Sequence, residues 1–111
     1  MSTVYRNVCF TIFESTWDHT TLDSELFVRG VCQKEKCPES GKEHFQGFVT
    51  LKTPSRLGKV KELLKCDSAH IEKAKGSPLQ AWEYCCKEES RIDGPWKYGT
   101  SPEGQGKRYV I

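Results

Sequence analysis

Along residues 5 to 13, YRNVCFTIF, apolar and polar side chains alternate with the period of a strand. Val8, Phe10 and Ile12 share one face, and Cys9, Thr11 and Phe13 the other. The polar stretch ESTWDHTTLDSE follows; Asp18 can cap a short helix there, although Thr20 and Thr21 are poor helix formers. Strand chemistry resumes in LFVRGVCQKE, residues 26–35, and again in EHFQGFVTL, residues 43–51. The KCPESGKE segment between them supplies proline, serine and glycine for a turn, so the two strands are expected to pair as an antiparallel hairpin. In PSRLGKVKELLK, residues 54–65, Leu57, Val60, Leu63 and Leu64 fall at helical spacing with Arg56 and the lysines opposite, which predicts an amphipathic helix. AHIEKA predicts a short strand. KGSPLQAWEYCCKEES opens on a strong helix start: Ser77 as cap, Pro78 at the first helical position, and Gln80 completing a capping box. GPWKYG predicts a last strand, and SPEGQGKR reads as a linker or tail.

The resulting order, β, (α), β, β, α, β, α, β, predicts an α+β fold. We expect a central antiparallel sheet of about five strands with helices packed mainly on one face, as in ferredoxin-like and RRM-like domains. A chain of 111 residues suits one core, and we assign residues 1–100 to it and 101–111 to a C-terminal linker or tail. With 36% hydrophobic and 29% charged residues the composition is that of a globular chain rather than a disordered or fibrous one. No stretch approaches the roughly 18 apolar residues of a membrane span, and the N-terminal segment lacks the pattern of a signal peptide. An intracellular setting is therefore expected, in which the six cysteines are free thiols. Cys32 and Cys37 have no second Cys/His pair at finger spacing, which disfavours zinc. A net charge of +2 does not by itself announce a nucleic-acid partner.

Chemistry concentrates in EHFQGFVTL. Phe45, Val49 and Leu51 form its apolar face, which leaves His44, Gln46, Phe48 and Thr50 to look toward solvent or a ligand. If the hairpin closes symmetrically around its loop, Glu35 lies directly opposite His44. Carboxylate, imidazole and amide oxygen then meet on one face, a donor mix suited to Mg²⁺ or Mn²⁺ better than to zinc. The same residues also suit a hydrogen-bonded surface cluster with no ion. On the last helix, at about 100° per residue, Leu79, Trp82 and Cys86 form an apolar stripe, while Gln80, Tyr84 and Lys87 share another face. Taken alone, that second face reads more simply as a solvated surface carrying a tyrosine, because short spacings of this kind recur by chance.

Three motifs change this balance: CFTIF at 9–13, HFQGF at 44–48 and YCCK at 84–87, joined by HIEKAKGS at 70–77 and GPWKYG at 94–99. Together, at this spacing, they resemble the N-terminal HUH endonuclease domain of replication-initiator (Rep) proteins of circular single-stranded DNA viruses, circovirus-like and nanovirus-like members in particular. The resemblance covers nearly the whole chain. Gln46 stands where the superfamily's pattern has a second histidine, a replacement usual in those branches. No GxxxxGK[ST] loop is present, so the family's helicase domain is not expected in this chain.

The resemblance implies a rolling-circle replication initiator. Tyr84 would attack a scissile phosphodiester in the single-stranded DNA of a viral origin stem-loop, forming a 5'-phosphotyrosyl bond and releasing a 3'-hydroxyl, and the reverse reaction would join strands. It further implies one divalent ion, Mg²⁺ or Mn²⁺, held by Glu35, His44 and Gln46, with Lys87 assisting. A host nuclear setting is implied too, as is self-association only through parts of a full-length Rep that this chain lacks. For DNA binding we expect Phe48 to stack a base and Lys52, Lys73 and Lys75 to meet phosphates, with Arg56 and Lys59 as weaker candidates. His19 and His70 receive no catalytic role. The alternative is a non-catalytic RRM-like module that binds single-stranded nucleic acid. QGFVTL is faintly similar to that family's aromatic segment, but Gln46 replaces the stacking ring and no second aromatic motif is present.

Overall fold

The structure, a computed structural model, describes residues 3–102, so the tail expected at 101–111 lies almost entirely outside the described residues. Five strands, β1 (Tyr5–Ile12), β2 (Phe27–Lys36), β3 (Glu43–Ser55), β4 (His70–Lys73) and β5 (Arg91–Gly99), form one sheet in the order β4-β1-β3-β2-β5. Every neighbouring pair is antiparallel. The α+β expectation holds. A short 3-10 helix (His19–Leu22) lies in the link from β1 to β2, and helix α1 (Leu57–Leu64) in the link from β3 to β4. Among the described residues no helix is long and apolar enough to cross a membrane.

Alternation decides the main core. Val8, Phe10 and Ile12 of β1 and Phe45, Val49 and Leu51 of β3 are buried together with Trp17, Leu22, Val60 and Leu64 from the two links. The Trp17 ring meets Phe10 edge-on at 5.6 Å and Phe45 at 5.1 Å, and its Nε1 donates to the Leu64 carbonyl at 2.7 Å. That bond satisfies an otherwise orphaned carbonyl at the end of α1 and ties the helix to the sheet. Gly47, on the central strand β3, faces this core, and a methyl group there would overlap the Phe10 ring, its cross-strand neighbour. The ring takes the space that glycine leaves.

Local signals are largely obeyed. The Asp18 carboxylate accepts from Thr20 Oγ1 at 2.7 Å and from Thr20 N at 2.9 Å, capping the 3-10 helix, and these bonds hold its carboxyl below the ordinary value. Helix α1 starts at Leu57 rather than at 54, because Ser55 pairs with Tyr5 and prolongs β3, leaving Arg56 as an N-cap without a side-chain bond. The capping box of α2 (Pro78–Tyr84) forms as expected: Ser77 Oγ accepts from Gln80 N at 3.1 Å, and Gln80 Oε1 accepts from Ser77 N at 2.8 Å.

The difference from expectation is where α2 goes. The 3-10 helix and α1 share one sheet face, but α2 crosses to the other, where Ala81, Trp82 and Cys85 bury Val31 and Phe48 in a second, smaller core. The apolar stripe is thus Ala81, Trp82 and Cys85, with Leu79 and Cys86 only half-buried, because the broad Trp82 ring beds down flanked by the two small residues. Phe48 is 0% exposed, so it cannot offer a ring to a base as expected from the sequence.

Two glycines predict opposite outcomes. Gly47→Ala should destabilise the fold by roughly 1–3 kcal/mol through overpacking against Phe10. Gly58→Ala, in α1 with nothing near the added methyl, should stabilise it by about 0.5–1 kcal/mol. Urea midpoints at unchanged slope measure both, and a Gly47→Ala protein as stable as the parent would refute the close packing.

Candidate active site

The β2–β3 hairpin closes in the symmetric register, with Glu35 and His44 as direct partners and Gln33 opposite Gln46. Glu35 is only 4% exposed, yet its carboxylate is well supplied with partners. Oε2 accepts from Lys87 Nζ and from Gln33 Nε2, each at 2.8 Å. Oε1 lies 3.4 Å from His44 Nε2. The other side of the imidazole has Cys37 Sγ 3.8 Å from Nδ1 and the half-exposed ring of Phe13 at 5.4 Å. Gln46, two residues along the same face, accepts from Thr11 Oγ1 at 3.1 Å through Oε1. Adjacent ligands of a divalent ion with bonds of about 2.1 Å stand ~3 Å apart. The Glu35 Oε1 and His44 Nε2 pair comes close to that spacing, and this oxygen–nitrogen donor set with few protein ligands fits a hard or borderline ion. Among the described residues no group of three or more His, Cys, Asp and Glu is placed to hold a metal ion, so a third protein ligand here would have to be the Gln46 amide oxygen.

Helix α2 brings the phenol. Tyr84 is the last residue of the helix and 56% exposed, with the Lys87 ammonium 4.2 Å from its ring centroid. Lys87 lies beyond the helix, in the turn that follows Cys85, and reaches back so that its ammonium touches both the Glu35 carboxylate and the Tyr84 ring. Its backbone carbonyl accepts from Gln33 Nε2 at 2.9 Å.

Tyr84 also borders an open cleft of about 720 Å³ between α2 and β4, shared with Thr11, Gln46, Lys73, Lys75 and Gln80. His70 and Glu72 line its far side, 2.9 Å apart, and the His70 hydrogen bond, followed by its charge, holds the Glu72 carboxyl below the ordinary value. Of the residues singled out in the sequence, the structure therefore brings together Glu35, His44, Gln46, Tyr84 and Lys87, with Lys73 and Lys75 on the cleft wall. Lys52 stands apart: it is eight residues along β3 from His44, roughly 27 Å at ~3.4 Å per residue, and does not line the cleft. Lys59 is paired with Glu62 on α1 at 3.4 Å.

The most deeply buried thiols are poorly suited to chemistry. All six cysteines are free thiols, and burial pushes Cys32 up to about 12 and raises Cys85 as well, so neither is a ready thiolate. His19 stacks on Trp96 at 3.9 Å and lies 2.6 Å from the Tyr98 hydroxyl through Nδ1, a packing role far from the cleft. Sequence reasoning missed Gln33. Its signal was present in the alternation of Val31, Gln33 and Glu35, which puts a carboxamide on the site face of β2.

The family whose model matches residues 5–88 is described as "Putative viral replication protein". The chain is 37% identical over 105 residues to Para-Rep C1 of Milk vetch dwarf C1 alphasatellite, a match covering 93% of this chain and 35% of that protein. It is 50% identical over 72 residues to Para-Rep C7 of Faba bean necrotic yellows C7 alphasatellite, covering 64% of this chain and 24% of the relative. It is 42% identical over 65 residues to the Master replication protein of Subterranean clover stunt virus (strain F), covering 59% and 22%. The chain thus spans at most 35% of the length of these relatives.

Removing Lys87's ammonium strands a buried carboxylate. Lys87→Met should therefore cost about 1–3 kcal/mol, and adding Glu35→Gln to the same chain should recover part of it. Urea unfolding of the two single variants and the double variant reads the coupling; strictly additive losses would mean that the pair contributes nothing.

Proposed function

Because the chain belongs to the viral replication protein family, we propose that it is the part of a replication initiator that nicks and rejoins single-stranded DNA at a viral origin, with Tyr84 as the nucleophile. The observation that carries this reading is the crossing of α2 to the second sheet face, which sets an exposed phenol beside the Lys87 ammonium and the Glu35–His44 pair.

Tyr84 Oη attacks phosphorus and the bond from phosphorus to the 3'-oxygen breaks, leaving the downstream segment esterified to the tyrosine through its 5'-phosphate and the upstream segment with a free 3'-hydroxyl. The phenol loses a proton and the departing 3'-oxygen gains one. One phosphodiester is exchanged for another of similar energy, so a free 3'-hydroxyl can reverse the step and join. Lys87, whose ammonium already lies against the Tyr84 ring, puts positive charge where the attacking oxygen and the phosphate concentrate negative charge. Lys73 and Lys75 on the cleft wall hold the flanking phosphates. Glu35, His44 and Gln46 are the residues to hold one Mg²⁺ or Mn²⁺, which when bound supplies Lewis-acid polarisation of the phosphoryl oxygen. Against the RRM-like alternative, α2 lies over the sheet surface on which such a module stacks bases, and the one phenylalanine of β3 on that face, Phe48, is buried beneath it.

Two expected outcomes test the reading on single-stranded oligonucleotides tiling a viral origin. Tyr84→Phe should abolish the covalent adduct and slow cleavage by roughly 10³-fold or more, with single-stranded DNA affinity kept within about twofold. Mass spectrometry of the parent reaction should find the nucleotide on the peptide containing Tyr84; an adduct on another tyrosine would mean a different nucleophile. Chelation of divalent ions should stop cleavage, and His44→Ala should weaken Mn²⁺ binding by roughly tenfold or more while leaving the urea midpoint near that of the parent. Unaltered cleavage by His44→Ala at limiting Mn²⁺ would exclude this metal site.

A further inference from the structure

We propose that Gln33 is a positioning residue: its carboxamide ties the Glu35 carboxylate to the backbone just beyond α2, and so sets the carboxylate–imidazole pair in register with Tyr84. This rests on the reading of the site given above. Gln33 is 0% exposed, on the face of β2 that also carries Val31, itself packed against Phe48, Ala81, Trp82 and Cys85. Both hydrogens of Nε2 are used, one on Glu35 Oε2 at 2.8 Å and one on the Lys87 carbonyl at 2.9 Å. Within a carboxamide only the nitrogen donates, so two acceptors at this end fix which way the group faces. Its Oε1 is buried with no partner among the described residues.

A bare buried amide oxygen costs stability, and a methionine or leucine would fill the same volume without one. The unpaired oxygen is therefore a cost that the two donated bonds must offset. Each of those bonds ends on a group of the site. Since Gln33 and Lys87 both occupy Oε2 of Glu35, the oxygen left facing His44 is Oε1. Lys87 is held twice, by its carbonyl to Gln33 and by its ammonium to Glu35, which closes a ring of bonds Glu35–Gln33–Lys87–Glu35. That ring fixes the exit of α2, and with it the ammonium beside Tyr84.

The test is Gln33→Met, matched in volume but without the amide, in a Tyr84→Phe chain so that nothing turns over. Mn²⁺ titration followed by electron paramagnetic resonance should show affinity reduced by roughly tenfold. Amide exchange at Cys86, Lys87 and Glu88 should quicken by a similar factor, while exchange in α1 stays unchanged. In a Glu35→Gln background, Gln33→Met should have no further effect on Mn²⁺ affinity, whereas a merely structural loss would add to it. If Gln33→Met fails to fold, Gln33→Asn, one methylene too short to span both acceptors, should show the same two changes. Where the parent binds Mn²⁺, unchanged affinity or unchanged exchange at residues 86–88 overturns the proposal. A parent that binds no Mn²⁺ overturns the metal reading instead, and the exchange rates alone then decide whether Gln33 couples the two elements.

Discussion

The Phe10 ring lying over Gly47 is the contact from which the rest of the molecule takes its register. Gly47 sits on β3, the central strand of the sheet, between Phe10 on β1 and Cys32 on β2, and the ring above it continues through Trp17 to Phe45 and the end of α1. Sliding β3 by one residue would push Gln46 or Phe48 under the ring and turn every side chain of the strand to the opposite face. Held where it is, β3 presents Phe45, Val49 and Leu51 to the main core and His44 and Gln46 to the far side. The site is in this sense a by-product of how one glycine is packed.

On that far side the decisive element is short. Helix α2 has seven residues, too few to be stable alone, and is held by its capping box and by Ala81, Trp82 and Cys85 against the sheet. Its brevity has a purpose in the geometry. Ending at Tyr84 leaves the phenol exposed at the helix terminus, and the turn that follows lets Lys87 fold back under it to reach Glu35. A helix continued through Lys87 would keep the ammonium on its own surface and the 87 carbonyl out of Gln33's reach.

Much of this was legible in the sequence because it is local. Alternation assigned the faces of β1 and β3, the loop between Glu35 and His44 is short enough to fix their pairing by symmetry, and Ser77, Pro78 and Gln80 announced the start of α2. What was not legible depends on packing between distant segments. A seven-residue helix carries too little pattern to say which sheet face it will choose, so the burial of Phe48 could not be foreseen, nor the quarter-turn shift of the apolar stripe to Ala81, Trp82 and Cys85. The late start of α1 has the same origin, since Ser55 is claimed by a partner on β1 fifty residues away in sequence. Lys52 looked like a neighbour of His44 because both lie on one strand, but a strand is an extended rod and eight residues carry it the length of the sheet.

The margins of the sheet carry a consequence of their own. A central strand buried on both faces is also a template on which foreign strands grow wherever the sheet presents a long unpaired edge. Here neither edge is both long and continuous. β4 has four residues, two of its neighbours in sequence being the cleft lysine Lys75 and the turn glycine Gly76, and β5 is broken by Pro95 and by the offset between the Cys32–Trp96 and Lys34–Asp93 pairs. A second chain docking at either side would find only a few backbone groups before meeting a proline, a kink or a charge. The same short strand that opens one wall of the cleft thus also protects the domain from amyloid-like accretion while its apolar centre stays as greasy as folding requires.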